Sequence, residues 1–591
     1  MRGTACEVLS WRPVVYCPKQ SMTILARRGL LPTLLFLGSM ALYAATMIRT
    51  AGWLDDTLKL SIAYSAEVSS WVNNHNLFTL LGHLWLVIFS FLDPHAALTL
   101  LCGLFASVSV LFAYHAGREV TGNPLAGALA AAALAVSHSI WWHATVVEAH
   151  SLNAALISLD LFFIGRFFRA KSFPCLCAAF FLFGIGVFNH ALMGLFAVAY
   201  GALFVMLLAG KDRIGWRKGL LLAGATILGC VPYLIVLARD VVLLLPGYGL
   251  FGSIMRTLDS ASGSFFRSSM FPRNLSPGEH AFWKLNYLFL LWYNFPAAAL
   301  PLAAWGTVRL RRGEYPLSLA VFFWLGLAAQ VIWSSNYLIW DMFKFSMPVY
   351  VLASLPLAVG IDVLLRSARP ALKAVSVASL LLPAAMYPLV TTIPGLAAVG
   401  KRYIAMYPPV SGLERQYAEA RARASGLSQV TAGVWDPVRY LMNPARAGYR
   451  EVAEFCGGVL KRLPPSSHYW DDDTKGGYPI QYYYQGLIKE RPDVSLHLLF
   501  SLHVDEQSAS AQAQVMRSML DGGGEFFVST IEWPERELLI QLSRAMRPDV
   551  DARSLRLMAA AEFRRQAPGL VITPVPLGTR PGLAIYRVSL R

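Results

Sequence analysis

Long apolar segments recur between residues 29 and 391 and are separated by short polar stretches. An α-helix needs about 20 apolar residues to cross a bilayer, and most of these segments approach that length. The pattern predicts an α-helical polytopic membrane domain over 29–391 with about eleven transmembrane helices. These are expected near 29–48, 96–115, 124–142, 153–168, 174–189, 191–209, 219–238, 282–305, 316–334, 346–364 and 373–391.

The apolar segment 77–92 decides the orientation of this domain. If it spans the membrane, every later loop changes side. If it is a juxtamembrane helix on the outer face, the arginines and lysines of the short loops fall on the cytoplasmic side, as the positive-inside rule requires. Gly82, His83 and the Asp93-Pro94 boundary favour the juxtamembrane helix. The sequence therefore predicts a cytoplasmic tail at 1–28 and an extracytoplasmic C-terminus, which in a bacterial inner membrane is periplasmic.

From Lys401 onward the chain has the mixed charges and periodicity of a soluble domain. After a linker at 392–445 with a helical stretch near 413–424, strands alternate with helices, which predicts a small α/β domain over 392–591. Helices are expected at 447–462, 478–489, 507–520 and 534–566, and strands at 491–500, 525–529, 570–575 and 582–588.

The composition agrees with a membrane protein. Of the 591 residues, 56% are hydrophobic and 15% are charged, whereas a soluble domain has about 25% charged residues. The net charge of +16 is explained better by basic cytoplasmic loops than by a nucleic-acid partner, so no nucleic acid is expected. Of the seven cysteines, Cys456 alone follows the membrane domain, so no disulfide framework is indicated there.

With this orientation, many polar side chains lie on the outer face. They are Asp55, Asp56, His75, Glu148, Asn153, Asn189, His190, Asp341 and Lys344. Ionisable groups at the membrane are costly, so several on one side indicate a shared polar cavity. The alternative is that each only caps a helix at the interface.

A long fourth outer loop is expected at about 240–280, with arginines that include Arg256 and Arg267. Arginines on the outer side run against the positive-inside rule. One explanation is an anionic ligand such as a lipid phosphate, which guanidinium groups bind well. The other is that a loop of this length escapes the rule.

Several segments of residues 29–350 resemble motifs of the GT-C glycosyltransferases, in particular the bacterial relatives of the transmembrane protein O-mannosyltransferases. Asp55-Asp56 is followed by Asn74-His75-Asn76-Leu77-Phe78-Thr79-Leu80-Leu81-Gly82, which is similar to the family's entry to a surface helix. Glu148-Ala-His-Ser-Leu-Asn153 is similar to its Glu-x-x-Ser-Leu-Asn motif, and Gly184-Ile-Gly-Val-Phe-Asn189-His190 to its Gly-x-x-x-x-Asn-His motif. Two departures stand out, because Val72-Asn73-Asn74 replaces Pro-Pro-Gly and Lys59 replaces an acidic residue.

The resemblance implies transfer of a sugar, with inversion, from a polyprenyl-phosphate donor to an acceptor on the extracytoplasmic face. The acceptor is a protein, a lipid or a glycan, and membrane lipids are further partners. Such a transfer needs a carboxylate general base, for which Asp56 is favoured and Asp55 is the neighbouring candidate. Glu148 is a third catalytic candidate. The expected substrate-binding residues are His75, Asn153, Asn189, His190, Asp341, Lys344, Arg256 and Arg267.

Two questions stay open in the sequence. Asp471-Asp472-Asp473 either binds a cation or forms a turn after a strand, and a divalent cofactor such as Mg²⁺ or Mn²⁺ is undecided. The alternatives to an enzyme are a transporter or flippase and a non-catalytic assembly protein of envelope glycan synthesis. A transporter would show internal repeats, and none is convincing here.

Overall fold

The computed structural model describes residues 29–52, 55–71, 74–210, 213–262, 275–311, 315–338, 342–366, 369–405, 437–472, 479–500, 515, 518–528, 570–577 and 584–590. The helices up to residue 405 are α1 (Leu30–Thr46), α2 (Asp55–Ser65), α3 (Asn76–Ile88), α4 (Pro94–Thr121), α5 (Pro124–Ala135), α6 (His138–Ala144), α7 (His150–Ala170), α8 (Phe173–Asn189), α9 (Ala197–Ala209), α10 (Trp216–Ser262), α11 (Pro277–Asn294), α12 (Ala299–Arg311), α13 (Leu317–Ser334), α14 (Met347–Arg366), α15 (Pro370–Leu380), α16 (Leu382–Thr392) and α17 (Pro394–Ala405). A 3₁₀ turn at Ala191–Phe196 leads into α9.

Every predicted span coincides with helical structure, so the prediction of an α-helical membrane protein is confirmed. Among the described helices, six are long and apolar enough to cross a membrane, and the number rises to nine if each of three bent pairs counts as one span. The helices α1, α3 and α8 are apolar but shorter. The segment predicted to lie on the membrane surface is thus the 13-residue α3.

The predicted span 282–305 is not straight, because α11 and α12 meet at a bend of 99°. Phe295 precedes Pro296 and has left the helical region, with φ −130° and ψ 66°. This is expected of a residue before proline, whose ring crowds the helical conformation. The pairs α5–α6 and α15–α16 are bent by 63° and 48°.

The predicted fourth outer loop at 240–280 is wrong in its first half, because α10 continues to Ser262. The helix is interrupted only at Gly249, whose φ of 64° is open to glycine at little cost. Leu243, Leu250 and Phe251 are exposed on this extension, so an apolar helix surface replaces the expected loop.

Two glycines allow one close helix crossing in the bundle, between α12 and α14. A Cβ atom on Gly306 of α12 would lie 1.8 Å from the carbonyl oxygen of Pro356 on α14, and one on Gly360 would lie 2.0 Å from that of Leu302. Close backbone approach through small residues is a usual way to pack membrane helices, because van der Waals contact replaces the hydrophobic effect there.

The charged residues separate to the two ends of the bundle. The first turn of α4 carries His95 and the first turn of α7 carries His150, whereas their last turns carry arginines. At that far end, Glu119 is buried and forms ion pairs with Arg118, Arg166 and Arg169 at 3.2, 3.3 and 3.8 Å. We call the two ends the histidine end and the arginine end.

The C-terminal part confirms the predicted α/β domain. Its elements are α18 (Pro437–Met442), α19 (Glu451–Arg462), β1 (His468–Asp472), a π-helix at Pro479–Leu487, β2 (Ser495–Phe500), β3 (Glu525–Val528), β4 (Leu570–Pro576) and β5 (Ala584–Leu590). The sheet has the order β2-β1-β3-β5-β4, in which β1 is parallel to both neighbours and β5 antiparallel to both of its own. The predicted helices at 413–424 and 534–566 lie outside the described residues, as does most of 507–520.

The C-terminal domain packs on the histidine end of the bundle. Tyr483 of the π-helix donates a hydrogen bond to Asp93 at 2.7 Å, just before α4. Trp142, Phe343 and Tyr287 of the bundle share a hydrophobic cluster with residues of the C-terminal domain, among them Phe455 and Tyr469. A polar end of the membrane domain is thereby covered.

Candidate active site

Asp56 is buried at the start of α2 and both of its carboxylate oxygens are occupied. Oδ1 accepts hydrogen bonds from His95 Nε2 at 2.6 Å and from the backbone N–H of Gly52 at 3.2 Å. Oδ2 accepts from the N–H of Val147 at 3.0 Å. The carboxylate therefore fixes the start of α2 to α4 and to the loop before α7.

Glu148 lies in that same loop, buried between two lysines. Lys344 Nζ donates to Oε1 at 2.9 Å, and Lys59 Nζ lies 3.7 Å from Oε2. Burial alone would raise the pKa of Glu148, but Lys344 and Lys59 hold it well below its usual range. Lys59 stands where the resembled motif has an acidic residue. Its positive charge thus compensates the negative charge of Glu148.

Four buried histidines form a contiguous group beside Glu148. The rings of His75 and His190 are stacked with centroids 4.6 Å apart, and His150 lies 4.8 Å from His190 and 5.2 Å from His143. Burial lowers the pKa of His190 well below its usual range, and His75 and Lys59 lower it further. His190 Nδ1 accepts from the N–H of Leu192 at 3.1 Å, as a neutral imidazole can.

Two buried asparagines complete the group, and their amides are incompletely used. Asn189 accepts from the N–H of Phe78 through Oδ1 at 3.2 Å, but its Nδ2 has no partner among the described residues. Neither amide atom of Asn153 has one, and Asn153 is fully buried. Buried polar atoms are nearly always hydrogen-bonded in native proteins, so unsatisfied donors and acceptors here suit the hydroxyl groups of a ligand.

Two residues that were missed from the sequence lie at the site: Tyr440 in the predicted linker and Arg446 directly after it. The guanidinium of Arg446 is 4.6 Å from the ring centre of Trp142 and 4.2 Å from that of Tyr440. Lys344 lies 5.3 Å from the same Trp142 ring. No sequence signal separated Arg446 from the other arginines of that segment, because only the fold brings it back to the bundle.

The remaining predicted site residues are distributed as follows. Asp341 and Arg267 lie outside the described residues, and so does the side chain of Asp55, although its backbone begins α2. Arg256 is exposed on the extension of α10, where its guanidinium stacks on Tyr248 at 3.8 Å. Among the described residues, no hydrogen bond or ion pair joins Arg256 to the histidine group. The role of Arg256 in substrate binding stays a prediction.

The described residues do not form a metal centre. No three His, Cys, Asp or Glu side chains among them are arranged to hold an ion. Asp471 is buried and accepts from Tyr469 at 2.9 Å, while the side chains of Asp472 and Asp473 lie outside the described part. A divalent cofactor stays a prediction.

The chain shares its fold with solved structures at low sequence identity. It is similar to ArnT from Cupriavidus metallidurans bound to undecaprenyl phosphate, with 14% identity over 95% of this chain and 98% of that one and a TM-score of 0.55. The apo state of the same protein gives 0.50 over the same shares. The arabinofuranosyltransferase AftD from Mycobacteria aligns with 95% of this chain and 40% of its own, at 13% identity and a TM-score of 0.44. The sequence matches no protein-family model and no curated protein.

Proposed function

We propose that this protein is a membrane glycosyltransferase that moves a sugar from a polyprenyl-phosphate donor to an acceptor on the extracytoplasmic face. The observation that carries the proposal is the buried group of carboxylates, lysines and histidines at the histidine end of a GT-C fold. The undecaprenyl phosphate bound to ArnT supports a lipid-phosphate donor.

The proposed chemistry is an inverting displacement. The acceptor hydroxyl attacks the anomeric carbon, a carboxylate takes the hydroxyl proton, and the bond to the phosphate oxygen breaks with its electron pair left on the lipid phosphate. The phosphate is a good leaving group, so cationic groups that hold its charge matter more than a strong acid. The acceptor is a protein, a lipid or a glycan.

We assign the general base to Asp55 and a positioning role to Asp56. Asp56 already accepts three hydrogen bonds from His95, Gly52 and Val147, which leaves it poorly suited to receive a proton. Asp55 begins the same helix, so the position of Asp56 determines where Asp55 stands.

The other residues then bind substrate. Asn153 and Asn189 have unused amide groups for sugar hydroxyls, and Lys344, held by Glu148, carries positive charge near the leaving phosphate. Asp341 and Arg267 keep the substrate-binding roles expected from the sequence. We place the histidine end in the periplasm of a bacterial inner membrane, with the N-terminus cytoplasmic.

The test compares envelope lipids, glycans and proteins by mass spectrometry in cells that lack the gene and carry either the wild type or the D55N/D56N double variant. The wild type should restore a sugar-modified product, and the double variant should be inserted in the membrane but restore none. A double variant that restores the product fully would contradict the proposal.

A further inference from the structure

The segment that follows the membrane helices is held against the histidine end by its backbone. Four carbonyl oxygens accept hydrogen bonds from buried side chains of the bundle: Tyr440 O from Trp142 at 3.0 Å, Leu441 O from His138 at 2.7 Å, Met442 O from Tyr293 at 2.8 Å and Pro444 O from Thr145 at 2.9 Å. Next, Arg446 N–H donates to Thr46 O at 2.6 Å. The backbone around Arg446 is therefore fixed to the bundle.

The side chain of Arg446 is buried and only partly paired. Its guanidinium lies against the rings of Trp142 and Tyr440, and Nη2 donates to the carbonyl of Tyr440. Its exposed fraction is 2%, and Nε and Nη1 have no hydrogen-bond partner among the described residues. No carboxylate of the described residues forms an ion pair with the guanidinium.

This arrangement is costly unless something else binds there. An arginine stays protonated in proteins, and burying its charge without a directly paired anion is costly. The carboxylate of Asp56 acts on the guanidinium electrostatically, but it is itself hydrogen-bonded to His95. Aromatic rings on the guanidinium do not replace an anion, although they orient the group.

Resting on the proposed function, we propose that Arg446 binds an anionic phosphate group of a substrate, so that the C-terminal domain supplies a binding residue to the membrane site. The unused N–H groups of a guanidinium match phosphate oxygens. Lys344 lies over the same Trp142 ring, so two cationic side chains flank one aromatic ring. The phosphate belongs either to the polyprenyl donor or to a phosphorylated acceptor.

The test measures binding to the full-length protein in detergent and needs no sugar transfer. Polyprenyl phosphate, the uncharged polyprenol and inorganic phosphate are titrated against the wild type, R446Q, R446K and the control R439Q, with thermal shift and native mass spectrometry as readouts. Arg439 lies on α18 and is exposed, so R439Q removes an exposed arginine of the same segment.

If the phosphate belongs to the donor, R446Q should bind polyprenyl phosphate at least about tenfold more weakly than the wild type does. Its affinity for polyprenol should be unchanged. The affinity of R446K for polyprenyl phosphate should lie between those of R446Q and the wild type, and R439Q should bind like the wild type. If R446Q loses inorganic phosphate binding but keeps polyprenyl phosphate, the anion belongs to the acceptor. Wild-type affinity of R446Q for both would overturn the proposal. If R446Q does not fold, R446K is the variant that tests the proposal. Wild-type affinity of R446K for both phosphates would then overturn the proposed role of Arg446.

These outcomes separate the two proposals. If the protein transfers a sugar but its phosphate binding does not depend on Arg446, only the proposed role of Arg446 is contradicted. Arg446-dependent phosphate binding without transfer of any sugar would remove only the glycosyltransferase.

Discussion

Lys344 and Glu148 form a buried ion pair at 2.9 Å although 196 positions separate them in the chain. The pair ties the segment before α14 to the loop before α7, and Lys59 adds a third charge at 3.7 Å. The carboxylate therefore holds two lysines from different parts of the bundle at one place.

Removing Lys344 should destabilise the protein by leaving a buried carboxylate with one weaker partner. Breaking a buried pair costs about 3–5 kcal/mol, and because Lys59 remains we expect about 2–3 kcal/mol for K344M, measured by thermal unfolding in detergent. The double variant E148Q/K344M should recover part of the loss. The exposed pair Arg587–Glu525 is the control, and E525Q should leave unfolding unchanged. A K344M protein as stable as the wild type would argue against a structural ion pair.

The two neighbouring aspartates should separate into catalysis and stability. D55N should lower the rate of sugar transfer by about 10²-fold or more while unfolding is unchanged, because a general base contributes that much. D56N replaces an acceptor oxygen with a donor facing His95, Gly52 or Val147, so it should cost about 1–3 kcal/mol of stability. H95L should reproduce the instability of D56N. If D56N is stable but inactive and D55N is active, the assignments are reversed.

Acidification should destabilise the histidine end in the window below pH 6.5. The folded-state pKa of His190 lies below the ordinary value of 6.5, so unfolded chains take up the proton first as the pH falls. Its contribution to stability is complete above about pH 6.5 and is lost as the pH falls towards the lowered value. Melting temperatures in detergent between pH 7.5 and about 5 check this, and H190Q should show a flatter dependence. A wild-type melting temperature that rises on acidification would contradict the neutral histidine.

Much of this fold follows from apolar run length alone, because a lipid environment leaves a chain few ways to satisfy its backbone. Hydropathy therefore located the helices, and the loop charges correctly grouped Asp56, Glu148 and His190 at one end. Hydropathy does not predict the 99° bend at Phe295, because proline is also tolerated inside continuous membrane helices.

The contacts between side chains inside the site could not be predicted from the sequence. Lys59 looked like a departure from a motif until Glu148 was seen beside it, and the distance along the chain hides such compensation. Arg446 lies between the predicted linker at 392–445 and the helix predicted at 447–462, where composition alone gives no reason to place a side chain at a buried site. The backbone hydrogen bonds from Trp142 and Thr145 that place it depend on the finished tertiary structure.

The α12–α14 crossing should not tolerate a side chain. In G306A the new Cβ would overlap the carbonyl oxygen of Pro356, so the helices must separate and lose packing, at an expected cost of about 1–3 kcal/mol or more. Gly224 of α10 is the matched control, because a Cβ there meets nothing within 4 Å. G224A should be neutral or slightly stabilising. Equal melting temperatures for the two variants would show that the crossing is looser than described.

Reporter fusions test the orientation on which the extracytoplasmic site depends. The C-terminal domain contacts the histidine end through Tyr483 and Asp93, so both must lie on the same side of the membrane. A periplasm-active phosphatase joined after residue 391 should therefore be active. Fusions at 311–312 and at Gly122, which follows the arginine-bearing turn of α4, should be inactive because basic residues are retained on the cytoplasmic side. The reverse pattern would turn the site towards the cytoplasm, where the proposed periplasmic transfer could not take place.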